Sequence, residues 1–335
     1  MSLAFIVSIV LSCSHRAGGE YTDGAEDDSL ALPTTSYVSD VYDQKHTEAC
    51  WIYAFCACVE HEAALRGDSV LLSRQWLMAH LMEEQTLERY EILSDKERLE
   101  EGGRGTISMR GVGQDVLRLI NNYGLVPYQQ ERSRFNSSRV LERKLELMTA
   151  DAVAHKQNRK QLLERIEPLM PRFTVARHTK STHDIEDDAT ESFYYLSMRY
   201  TPQQFAESVM YYQKWRWYVS EQTHVWNTKV ALEVPDNRRY CQYVNKPMKE
   251  LLNMVRESVR QGHAVYWEYG KNETTQPMGG GASSDHAMAI VEVRNGGFLC
   301  RNSYGSNWGH HGYCIISDEF FIKHTCNVGI VEIVE

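Results

Sequence analysis

The chain of 335 residues is 42% apolar and 24% charged and carries a net charge of −9, values ordinary for a globular protein with ample core. That acidic balance excludes a non-specific nucleic-acid binder, which needs a basic face to displace counterions, so no nucleic-acid partner is expected. Eight cysteines are too few at this length for a disulfide scaffold, and no CxxC…CxxC or HExxH spacing occurs to suggest a structural zinc site.

In chain order, the first feature is "LAFIVSIVLSC", Leu3 to Cys13. This apolar run is too short to span a bilayer as a helix and suits the hydrophobic core of a signal peptide. Val10-Leu11-Ser12-Cys13 resembles the lipobox of bacterial lipoproteins, which makes Cys13 a candidate for lipidation and membrane anchoring, although no Lys or Arg precedes the run. A buried strand or helix start is the alternative. Residues 14–35 are polar, acidic and Gly-containing and read as a flexible tether, so the globular domain is expected over 36–335. The expected location is the bacterial cell envelope, lipid-anchored or periplasmic, with the cytoplasm as the alternative.

"CWIYAFCACV", Cys50 to Val59, is apolar almost throughout and predicts a helix buried on most sides. An amphipathic helix follows from Ser73, then a glycine-bearing loop, "EEGGRGTISMRGVG", and a helix "QDVLRLINNYG" ending at Gly124. Residues 130–170 are charged and helix-favouring and read as a solvated helix or helical hairpin, and 171–240 are mixed, with an acidic stretch from His183 to Glu191. "KPMKELLNMVRESVRQG" is a further amphipathic helix closed by Gly262. Beyond it "HAVYWEYG", "HAMAIVEVRNGGFLCRNSYG", "GYCIIS" and "VGIVEIVE" are strand-like runs separated by turns. Helices first and strands later predict an α+β protein of two packed lobes.

The stretch "DQKHTEACWIYAFCACVE" places Cys50, Cys56 and Cys58 close together. On an ideal helix Cys56 and Cys58 lie about 240° and about 80° round from Cys50, so the three cannot chelate one metal. Cys56 and Cys58 read as small buried hydrophobes. Cys50 opens the helix, where unsatisfied N–H groups and the dipole are expected to lower a thiol pKa. Gln44, on the incoming loop, offers an amide donor that could pair with the Cys50 backbone N–H as an oxyanion hole. His286, at the entrance to a strand, supplies a base. Asn302, near the end of the next strand, could hold the imidazole in its productive tautomer if the two strands are neighbours.

These segments together resemble the papain-like cysteine peptidases, and within them the bleomycin hydrolase and aminopeptidase C branch. "DQKHTEACWIYA" resembles the Gln…Cys-Trp segment and "LLSRQWL" the stretch that follows it. "LRLINNYGLVPY" resembles the helix leading to a YG-x-x-P turn, and "SDHAMAIVEV" and "NSYGSNWGHHGYCIISDEFF" resemble the His and Asn segments. The Cys50–His286 interval is far longer than the roughly 130–150 residues of the papain and cathepsin type, and "YTPQQFAESV" is similar to the longer branch. The resemblance implies a two-lobe fold, with a helical left lobe, a β-barrel-like right lobe and an enlarged helical insertion over about 130–245. It makes Cys50 the nucleophile, His286 the acid/base, Asn302 the orienter and Gln44 the oxyanion donor. It further implies substrate contacts at Arg110, Gly111 and Asp285, and packing around the site by Trp51, Tyr304 and Trp308. No cofactor and no metal are implied, and the partner is a peptide or protein substrate.

Four departures stand out. Thr47 and Glu48 replace the Cys and Gly of the usual Cys-Gly-x-Cys-Trp pattern. Tyr304 stands where the family has a Trp shielding the Asn–His bond. The Gly-Gly segment is reduced to Arg110-Gly111. The chain closes on what reads as a core strand, so the C-terminal arm that confines bleomycin hydrolase to trimming N-termini is not expected, and both aminopeptidase and endopeptidase action stay open. A non-catalytic envelope binding protein and a Cys–His acyltransferase or amidase are the alternatives. A homo-oligomer is compatible with the branch. Among Cys241, Cys300, Cys314 and Cys326, the pair Cys300–Cys314 on successive strands is the first expected to meet.

Overall fold

The computed structural model describes residues 40–95, 105–135, 137–174, 176–178, 190–210, 215–220, 243–270 and 286–332. The lipobox-like segment with Cys13, the tether, Cys241 and Asp285 lie outside the described residues.

The first lobe is built on α1 (Cys50–Leu65), whose residues from Trp51 to Ala63 are all buried. A helix apolar on every side can be satisfied only in the middle of a domain. Its charged exceptions are paired. Glu60 and Arg74, both almost wholly inaccessible, form a bidentate ion pair, with Arg74 Nη2 donating to Glu60 Oε2 at 2.8 Å. The Leu72 N–H also donates to Glu60 Oε1, at 2.7 Å. Helix α2 (Arg74–Ser94) starts where the Ser73 hydroxyl accepts the Trp76 N–H. Helix α3 (Gly113–Tyr123) stops at Gly124, which has φ +67° and whose Cβ would lie 2.1 Å from the Pro202 backbone. Only glycine fits both demands.

Helices α4 (Ser138–Ala154) and α5 (Arg159–Ile166) follow. The described residues within 130–245 hold strands as well as helices. Strands β1 (Ala176–His178), β2 (Thr190–Tyr195) and β3 (Met198–Tyr200) form a separate antiparallel sheet, and a short helix α6 (Pro202–Phe205) continues as a π-turn to Met210. Strands β4 (Trp215–Ser220) and β5 (Tyr243–Lys246) join the main sheet. In β4 the run "WRWYVS" buries Trp215, Trp217 and Val219 and exposes Arg216, an aromatic alternation that suits a half-buried strand better than a helix.

The second lobe is one seven-stranded sheet in the order β5-β4-β10-β6-β7-β8-β9. Its later members are β6 (Val265–Tyr269), β7 (His286–Arg294), β8 (Gly297–Arg301), β9 (Tyr313–Ser317) and β10 (Thr325–Val331). All neighbours are antiparallel except β4 and β5. The first four residues of "VGIVEIVE" thus lie in a central strand, β10, as their apolar pattern predicts. Period-two alternation divides the sheet between two cores. Tyr266, Ala287 and Ala289 face the core shared with α1, whereas Val265, Trp267, Met288 and Ile290 face the other. Helix α7 (Met248–Arg260) and helix α8 (Asp318–His324) cover that second face through Leu251, Val255, Val259 and Phe321.

Phe55 on α1 packs against Trp215, Trp217 and Tyr266 at centroid separations of 5.2, 6.1 and 6.1 Å. This aromatic cluster seats α1 on the sheet, and with it fixes where the helix begins. Cys56 and Cys58 are fully buried in the same core. Cys300 and Cys314 stand opposite one another on β8 and β9, both as thiols. Among the described residues no helix is long and apolar enough to cross a membrane.

Candidate active site

The two lobes meet where α1 begins and β7 begins. Cys50 is the first residue of α1 and is half-buried, and His286 is the first residue of β7. The backbone of Ala287, next to His286, hydrogen-bonds the Cys50 thiol, so the nucleophile candidate lies against the base candidate's own strand. β7 and β8 pair as neighbours, and Asn302 follows β8 directly. His286 Nε2 lies 2.7 Å from Asn302 Oδ1. A carbonyl oxygen can only accept, so Nε2 carries the proton, and Nδ1 is left as the basic nitrogen of the neutral ring.

Tyr304 stacks on the imidazole with centroids 4.9 Å apart and planes 20° apart. Trp308 meets Tyr304 edge-on at 5.5 Å. The Tyr ring thus covers one face of the imidazole. It adds a hydroxyl, however, which lies 3.4 Å from His286 Nδ1.

Gln44 is brought to the same place. A tight turn, with Lys45 at φ +55°, lets the Thr47 N–H and hydroxyl both bond the Gln44 carbonyl at 3.2 and 2.6 Å. The Gln44 side chain donates from Nε2 to the Thr47 carbonyl at 2.7 Å and accepts the Ser303 hydroxyl at 2.5 Å. Its backbone N–H bonds the Ser303 carbonyl at 2.8 Å. Ser303 in turn donates its own N–H to Asn302 Oδ1 at 2.7 Å. Ser303 therefore ties the Gln44 loop to the Asn302–His286 pair, a role the sequence did not single out although "RNSYG" placed it beside Asn302.

The loop carrying Arg110 and Gly111 lies along the start of α1. Trp51 Nε1 donates to the Met109 carbonyl at 2.8 Å, and a Cβ on Gly111 would lie 2.6 Å from the Trp51 ring. The glycine is needed for that close approach. Arg110 reaches back to Glu48, two residues before Cys50, with Nε–Oε2 at 3.0 Å and Nη2–Oε1 at 2.9 Å. Glu48 thus fixes an exposed guanidinium beside the start of α1.

The thiol's electrostatics differ from the expectation. Burial pushes the Cys50 thiol up to about 12, and the Glu268 carboxylate raises it further. Hydrogen bonds from Ala287, Trp51 and Cys50 itself offset only part of that rise. The helix-start donors are present, but desolvation outweighs them. A thiolate at this position therefore depends on a cationic partner. His286, whose strand touches the thiol, is the group placed to become one.

No family model and no curated protein sequence matches the chain. Among solved structures, PepW from Lactobacillus rhamnosis HN001 superposes with a TM-score of 0.60 at 16% identity, over 88% of this chain and 80% of that one. Xylellain, a cysteine protease from Xylella fastidiosa, gives a TM-score of 0.43 at 12% identity, over 91% and 88% of the two chains. The chain has the papain-like α+β two-lobe fold.

Proposed function

We propose that the protein is a cysteine peptidase in which Cys50 and His286 form a thiolate–imidazolium pair. The observation that carries this reading is the 2.7 Å His286–Asn302 bond at the head of a strand whose backbone touches the Cys50 thiol. The Cys50 proton passes to His286 Nδ1 and the sulfur attacks the scissile carbonyl, forming a C–S bond. The oxyanion is met by the Cys50 N–H and the second amide hydrogen of Gln44. Collapse breaks the C–N bond as Nδ1–H protonates the leaving amine. Water then attacks the thioester with Nδ1 as base, which releases the acid and restores the thiol. The test is hydrolysis of a mixed peptide pool by wild type and by Cys50→Ala, together with labelling of Cys50 by an epoxide-type cysteine-peptidase inhibitor.

Kinship with the bleomycin hydrolase and aminopeptidase C branch is part of the same proposal, supported by the long insertion between Cys50 and His286. Comparing N-terminally blocked with free peptides decides between endopeptidase and aminopeptidase action. Lipidation at Cys13 is proposed from the lipobox-like segment alone and is tested by metabolic labelling with a fatty acid in wild type and Cys13→Ala.

A further inference from the structure

Glu268 has no part in the chemistry just described, yet it is fully buried in the strand next to β7. It lies directly opposite Ala287, the residue whose backbone bonds the Cys50 thiol. Its Oε1 accepts the Gly113 N–H at 2.6 Å and the Tyr266 hydroxyl. Its Oε2 accepts the Asn327 amide. Three elements therefore converge on one carboxyl group: β6 itself, β10 through Asn327, and the first residue of α3.

Gly113 is the exit of the Arg110–Gly111 segment. A Cβ there would lie 2.2 Å from Trp217 and 2.6 Å from Tyr266, so α3 begins pressed against the sheet at the point where Glu268 takes its N–H. A carboxylate at a helix start is favoured by the unsatisfied N–H groups and the dipole. Shifting that helix start would shift Arg110 and Gly111 with it.

We propose that Glu268 is a positioning residue for the site, anchoring the Arg110–Gly111 segment through Gly113 and setting by its charge how readily Cys50 ionises. The kinetic half of this inference rests on the peptidase reading, whereas the electrostatic half does not. The titratable groups facing Glu268 are Tyr266 on its own strand, Asp115 on α3 and Cys50 on α1, with Tyr243 of β5 behind Tyr266. Burial lifts the Glu268 carboxyl to about 7, against hydrogen bonds from Tyr266, Asn327 and Gly113. Its charge therefore changes where the site would work. When it loses its proton, the thiolate becomes harder to form.

The experiment measures the rate of Cys50 alkylation by iodoacetamide against pH in wild type, Glu268→Gln and Tyr266→Phe, with peptide kcat and KM alongside. In wild type an ionisation near neutrality is expected in the alkylation profile. Glu268→Gln should abolish it and make Cys50 react faster above it. Tyr266→Phe, a mild change that removes a bond favouring the ionised carboxyl, should move the step to higher pH and carries the test if Glu268→Gln does not fold. Glu268→Gln should also raise KM by about threefold or more, with a smaller effect on kcat, as expected when substrate positioning is loosened. Alkylation profiles and KM values identical across all three proteins would overturn the inference while leaving the peptidase reading intact. Absence of peptide hydrolysis in wild type would sink that reading, with the alkylation profiles still deciding on Glu268.

Discussion

Ser303 donates its hydroxyl to Gln44 Oε1 over 2.5 Å, joining the loop that precedes the nucleophile to the loop that follows β8. The adjacent backbone supports the same join, since the Gly305 N–H bonds the Tyr42 carbonyl at 3.1 Å and Asp43 bridges Tyr304. Gln44 and Asn302 are thus held by one short antiparallel contact, and each should feel loss of the other.

On the proposed mechanism Gln44→Ala removes an oxyanion donor and is expected to lower kcat by about 10²–10³-fold. Ser303→Ala leaves the amide present but less constrained, a loss of about 1 kcal/mol or roughly fivefold in kcat. Steady-state kinetics on one peptide checks both. If the two variants lost activity equally, Ser303 would be doing more than holding Gln44.

Tyr304 has two separable effects. Its ring covers the imidazole, and its hydroxyl sits 3.4 Å from Nδ1, where it competes for the nitrogen that must take the Cys50 proton. Tyr304→Phe should therefore hold or raise kcat, and Tyr304→Ala should lower it by letting water reach the Asn302–His286 bond. A large loss in the Phe variant would assign the hydroxyl a direct role instead.

The pH dependence of Cys50 follows from its burial. On the proposed mechanism the thiolate forms as an ion pair with the His286 imidazolium. In His286→Ala no imidazole remains to take the thiol's proton, and burial, which raises the thiol's pKa, dominates. Alkylation of that variant should be very slow near neutrality and rise continuously into the alkaline range, because the thiol stays protonated until the pH approaches its raised pKa. A plateau reached near neutrality in His286→Ala would show that the helix start alone stabilises the thiolate.

Stability should be most sensitive at Glu60 and Arg74. Each side chain is almost inaccessible, so removing one strands the other as a buried charge. Glu60→Ala or Arg74→Ala is expected to cost about 3–5 kcal/mol, whereas replacing both with apolar residues of similar size should cost far less. Denaturant titration of the two single variants and the double variant gives the coupling directly.

Much of this arrangement was legible from local pattern. The all-apolar run after Cys50 could only be a central helix, and the turn-bounded runs after Gly262 could only be strands. His286 at a strand start and Asn302 one strand later could be named because β7 and β8 are joined by a short turn, so their pairing is local. What was not legible depended on contacts far apart in the chain. The aromatic alternation of β4 suits a strand, but that β4 and β5 belong to the main sheet shows only in the pairing of β4 with β10 and with β5. The helix start at Cys50 is visible in sequence, whereas the desolvation that raises its thiol comes from elements packed over it from far along the chain. Glu268 left one trace, a carboxylate in the apolar run "VYWEY", which gains meaning only from Gly113, Tyr266 and Asn327 around it.

The central claim is that Cys50 performs covalent chemistry on peptide bonds. The most direct measurement is incubation of wild type and Cys50→Ala with a defined peptide pool, with cleavage products read by mass spectrometry. The account predicts new peptide termini with wild type and none with Cys50→Ala. The same cleavages produced by Cys50→Ala would contradict it.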